Sequence, residues 1–111
     1  MLEYAERALK HQDTHALEDV ARAIVDNHAQ LWRGKHSEIV TEIKVYPTIK
    51  VCRIWLAGGD MDELVKEMLP DVEAWAKERG CARMEICGRK GWKRVLKDYR
   101  EQYAVLTKEI E

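Results

Sequence analysis

Ile49 to Leu56, reading IKVCRIWL, carries apolar side chains on both faces of an extended chain: Val51 and Trp55 on one side, Cys52, Ile54 and Leu56 on the other. Such a run is at home in the middle of a sheet with both faces covered. It therefore predicts an α/β domain with helices above and below a mixed sheet. Its neighbour agrees, because residues 37–46 alternate. Ile39, Thr41, Ile43 and Val45 share one face, and Glu38, Glu42 and Lys44 share the other with Val40 and Tyr46, until Pro47 ends the strand.

The flanking segments supply the cover. Leu2, Ala5, Ala8 and Leu9 space a short helix. After the polar run His11 to Thr14, with Thr14 as the expected cap, Leu17, Val20, Ala21, Ile24 and Val25 form a helical stripe. Ala29 to Trp32 reads as an edge strand closed by Arg33-Gly34-Lys35. Ala57-Gly58-Gly59-Asp60 reads as a turn into a helix with Leu64, Met68, Val72, Trp75 and Ala76 on one face, interrupted by Pro70 and stopped by Gly80. Met84 to Cys87 is then a short strand, Trp92 to Lys97 a short helix, and Gln102 to Ile110 a final alternating strand. The expected order is αα-βββ-α-β-α-β, with about five strands.

At 111 residues, such a list of elements fits one domain, with helices over 1–28 and the sheet and core helices over 29–111. A content of 46% apolar and 35% charged residues, with two prolines and six glycines, excludes low-complexity disorder. The net charge of −1 argues against a surface built wholly for nucleic acid. Cys52, Cys81 and Cys87 are odd in number and include no C-x-x-C pair, which predicts reduced thiols in a reducing compartment. No apolar h-region opens the chain and no stretch approaches the ~18 apolar residues of a membrane span, so neither a signal peptide nor a membrane span is expected.

Residues 75–103 read WAKERGCARMEICGRKGWKRVLKDYREQY, with G-R-K-G-W at Gly88 to Trp92 their most specific part. On these residues the sequence from Lys50 to Ile110 resembles the GNAT superfamily of acyl-CoA N-acyltransferases. It is similar to the small GNAT-like proteins of tailed bacteriophages, which implies a GNAT-like three-layer arrangement and a place in the host cytoplasm, the virion, or both. In GNAT enzymes the loop after the central strand reads Arg/Gln-x-x-Gly-x-Gly/Ala and holds the cofactor's pyrophosphate on backbone N–H groups. Here the stretch is LAGGDMDEL, with no basic residue and with Asp60, Asp62 and Glu63 at the helix start. Three carboxylates there oppose an anion and suit ordinary helix capping.

The resemblance implies that any CoA would meet Gly58, Gly59, Asp60, Arg89 and Lys90, and that Tyr99 or Tyr103 stands where the family places a general acid. Glu38, Glu42 and Glu85 are the strand carboxylates that an amine acetylation would use as base, although strand glutamates more often face solvent. The basic run Arg89, Lys90, Lys93, Arg94, Lys97 and Arg100 surrounds Trp92. It suits an acidic partner protein, a phosphate backbone or a CoA phosphate, or else a solvated face balancing the acidic helix before it. Trp92, Lys93, Arg94 and Lys97 are the expected partner contacts. His11, His15, His28 and His36 lack metal-ligand spacing, so no metal is expected.

The expected function is that of a non-catalytic GNAT-like phage protein, a virion-associated or assembly interaction module that binds a phage or host protein, with no cofactor. An acetyl-CoA-dependent N-acetyltransferase and an inhibitor of a host nucleic-acid machine are the alternatives. Self-association would cover an exposed edge strand.

Overall fold

The structure is a computed structural model that describes residues 2–10, 14–86, 92–102 and 106–110, the side chain of Lys93 excepted. Two helices, α1 (Glu3–Leu9) and α2 (Leu17–Val25), precede three strands, β1 (Gln30–Arg33), β2 (Ser37–Val45) and β3 (Lys50–Gly59). A helical rod follows, made of α3 (Met61–Glu63), a π-helical turn (Leu64–Met68) and α4 (Leu69–Glu78). It leads into β4 (Arg83–Ile86) and the short α5 (Trp92–Val95). The sheet runs in the order β1-β2-β3-β4, antiparallel until β4 joins β3 in parallel. The result is a mixed α/β fold on a four-stranded mixed sheet.

All of the apolar run but Ile49 lies in β3, an interior strand. Val40 pairs with Leu56 and Thr41 with Ile54, so Trp55 is the extra residue of a β-bulge. The bulge changes the expected sidedness. Cys52 and Ile54 face the core beneath α4, with Leu64, Met68, Leu69, Val72 and Ala76. Trp55 and Leu56, although consecutive, both join the opposite core with Ala5, Leu9, Val20 and Val40, beneath α1 and α2. One strand thus holds two helical layers.

Several boundaries differ from expectation for local reasons. Thr14 is not the cap of α2. The helix begins after Ala16, whose N–H donates to the Asp19 carboxylate at 2.8 Å, while the Thr14 hydroxyl pairs with His15 Nδ1. Ala57, Gly58 and Gly59 are strand rather than turn, since they pair with Ile39, Glu38 and Ser37. The break expected at Pro70 takes the form of the π turn just before it, with the proline at the start of α4, where its missing N–H costs little. Gly80 does end the helix, at φ +84°.

The expected last strand differs most. Residues 106–110 pair with nothing in the sheet and leave Leu106 and Ile110 exposed; Tyr103 to Val105 and Cys87 lie outside the described residues. Four strands, not about five, are therefore described. Among the described residues no helix is long and apolar enough to cross a membrane.

Candidate functional site

The glycine end of β3 is packed with the chain's own atoms. A Cβ on Gly58 would lie 2.3 Å from the Tyr4 carbonyl oxygen, so this position is glycine because the first turn of α1 lies against it. Gly59, at φ +119°, presses on the His36 carbonyl and on Ser37. The next amide, Asp60 N–H, donates to the His36 carbonyl and the Ser37 hydroxyl, both at 3.0 Å. The Asp60 carboxylate accepts from Glu63 N–H at 3.2 Å and so caps the rod. Glu63 reaches back and accepts from Lys35 N–H at 2.7 Å and His36 N–H at 2.9 Å. The Ser37 hydroxyl first, then these amides, hold the Glu63 carboxyl below its usual range.

An incoming phosphate would therefore meet a capped helix end, a filled glycine surface and the Glu63 carboxylate, held below its usual range. Gly58, Gly59 and Asp60, the expected cofactor-binding candidates of this loop, are each engaged with the β1–β2 connection, β2 or α1. Arg89 and Lys90 lie outside the described residues.

Tyr99 occupies a different place. It lines an open cleft of about 240 Å³ with Glu73, Arg83, Met84, Asp98, Arg100 and Gln102. Burial, then the carboxylates of Glu73 and Asp98, then Cys52, push its hydroxyl up to about 12, so the phenol stays protonated. Arg83 pairs with Val51 near the start of β3, whereas Gly59 closes that strand. Six residues of strand lie between Cys52, which is near enough to raise Tyr99, and Gly59, roughly 23 Å at the rise of a strand. The candidate acid and the candidate cofactor loop thus lie toward opposite ends of one strand. Tyr103 lies outside the described residues.

The basic run divides as well. Arg94, Lys97 and Arg100 are exposed, with Val95 among them. Trp92, expected to touch a partner, is instead buried with Leu96 in the core under α4 and anchors α5 there. Of the strand glutamates, Glu42 is 3.7 Å from Arg53 and 3.6 Å from Lys44, and Glu85 lies 3.5 Å from Arg83, as ion pairs on the sheet face opposite α4. His15 packs edge-on against Trp55, and no metal-binding cluster occurs among the described residues.

Sequence reasoning missed the role of Glu38. This carboxylate is 4% exposed and accepts from the N–H groups of Tyr4 at 2.9 Å and Ala5 at 3.0 Å, capping α1 from 33 residues away, with Arg33 Nε at 3.6 Å from its other oxygen. The available signal was a carboxylate on the same strand face as Val40, the face that a helix has to cover.

A scan against protein-family models finds no match, and a search of curated proteins finds none. Among solved structures the chain is similar to TTHA1254 from Thermus thermophilus. A single-site mutant of that protein superposes with a TM-score of 0.66 at 14% identity, over 99% of this chain and 90% of that one. The wild type gives 0.58 at 16% identity, over 99% and 88%. At these identities the likeness is one of fold.

Proposed function

We propose that the chain is a GNAT-like scaffold, of the kind tailed bacteriophages encode, that works without acyl transfer as an interaction module in the virion, in its assembly or in the host cytoplasm. The observation that carries the reading is the closed glycine end of β3. There the Asp60 N–H donates to the Ser37 hydroxyl and the His36 carbonyl, the Glu63 N–H donates to the Asp60 carboxylate, and Tyr4 and Ser37 fill the glycine surface. The GNAT-like part is supported by element order: two helices, three antiparallel strands, a helical crossover and a parallel strand.

The surface left for a partner is the exposed cationic group Arg94, Lys97 and Arg100 around Val95, held in place by the buried Trp92. A protein with an acidic patch matches it, and a rim of charges of this kind governs encounter rate more than affinity. The deciding experiment is calorimetric titration with acetyl-CoA and CoA at low salt. The expected result is no heat at millimolar ligand from a domain that melts cooperatively. Saturable micromolar binding weakened by Arg89→Ala would overturn the reading in favour of an N-acetyltransferase.

A further inference from the structure

The cleft beside Tyr99 brings both signs of charge together, and little of that charge is spent on holding the fold. Glu73 of α4 and Asp98 bring carboxylates, Arg83 of β4 and Arg100 bring guanidiniums, and Met84 supplies an apolar wall. Arg83 is tied to Glu85 at 3.5 Å. The side chains of Glu73, Asp98, Tyr99 and Arg100, in contrast, make no hydrogen bond or ion pair among the described residues. Tyr99 is half-buried, and a phenol so placed ordinarily finds a polar partner. Of the charges in the cleft, the Glu73 and Asp98 carboxylates are the ones that raise its hydroxyl, so negative potential gathers at the phenol. At about 240 Å³ the cleft is smaller than the roughly 300–1,000 Å³ of pockets that take drug-sized ligands, so its ligand is small.

We propose that this cleft binds a small zwitterion, a free α-amino acid with an apolar side chain, its ammonium on Glu73, Asp98 and the Tyr99 phenol and its carboxylate on Arg100. An ammonium has three N–H donors, and two carboxylates with a phenol oxygen offer three acceptors. Charge-assisted bonds of this kind are the strong ones. The phenol keeps its proton, so its oxygen accepts from the ammonium while its O–H stays available to a carboxylate. Arg100 is the guanidinium open to the ligand's carboxylate, since Glu85 already engages Arg83. Met84 faces the side chain. A bare metal cation fits less well, because two guanidiniums share the cleft with the two carboxylates. The amino acid is held and not transformed, so the site is independent of any protein bound elsewhere on the domain.

Calorimetric titration of the full chain at pH 7 with three probes is the test: L-leucine, N-acetyl-L-leucine, which has no ammonium, and L-leucinamide, which has no carboxylate. L-leucine is expected to bind saturably, and each analogue roughly tenfold more weakly or worse. Glu73→Gln with Asp98→Asn should weaken L-leucine binding roughly tenfold, and Arg100→Gln should weaken L-leucine while leaving L-leucinamide unchanged. All three residues are exposed, so the variants should melt as the wild type does. No saturable binding of L-leucine at millimolar concentration, analogues that bind as tightly as L-leucine, or a folded double variant with undiminished binding would each overturn the proposal.

Discussion

A single buried carboxylate illustrates how much of this molecule rests on interactions between distant residues. Glu38 sits on a strand, yet it completes the hydrogen bonding of α1, whose first-turn amides have no partner within the helix. Replacing it by alanine strands the Tyr4 and Ala5 amides against the sheet and takes a carboxylate from Arg33. That loss is expected to cost about 1–3 kcal/mol in urea unfolding, whereas Glu38→Gln, which keeps an acceptor, should cost less. Equal losses for the two variants would show that charge rather than hydrogen bonding matters there. The sequence marked Glu38 as a strand residue but not as a cap, since alternation gives the face of a side chain and not the element lying on it. Trp92 failed in the opposite sense: its basic neighbours suggested a surface, and its apolar bulk decided for the core.

At the scale of elements, the sequence was legible wherever periodicity was strong. The strand β2, the apolar run in β3 and the stripe of the helical rod are present where the pattern put them, although β2 is buried on both faces from Ser37 to Thr41 and leaves Val45 exposed. The errors cluster where a non-local contact overrides local chemistry. Gly58 and Gly59 read as a turn and a phosphate cradle, because glycine signals backbone freedom without saying what uses it; here α1 and the β1–β2 connection do. The bulge at Trp55 left no sequence signal, since an apolar residue suits either face. Gly58→Ala tests the packing reading directly. The added methyl meets backbone atoms of Tyr4, which cannot rotate away, so α1 has to lift from the sheet at a cost of about 1–3 kcal/mol. Hydrogen exchange should show faster opening of residues 3–9 with β2, β3 and α4 still protected. Uniform loss of protection would place α1 in the same cooperative unit as the rest.

For the molecule as a whole, the shared core of β3, α4 and α5 predicts a pH dependence. Burial, and then Cys81, push the Cys52 thiol from 9.0 to about 11, and Tyr99 on the same core is raised from 10.0 to about 12. In both cases the unfolded chain releases its proton first. Above pH 9 it therefore binds fewer protons than the native state, and stability falls with rising pH. The contribution is fully present below about pH 9 and is lost progressively as pH climbs through the folded values. Glu63 acts in the reverse sense at the acid end: its lowered carboxyl favours the folded state above the ordinary carboxylate range, and that advantage disappears as pH falls through the folded value. Lysines titrate in the alkaline window too, so the informative quantity is the difference between wild type and Cys52→Ala. The variant should be less stable at pH 8, because a buried side chain is trimmed, yet its melting temperature should fall less steeply between pH 9 and 11. Parallel melting curves across that interval would mean that the thiol ionises as easily in the folded core as in water, and the packing of α5 over β3 would then have to be looser than its buried Trp92 and Leu96 imply.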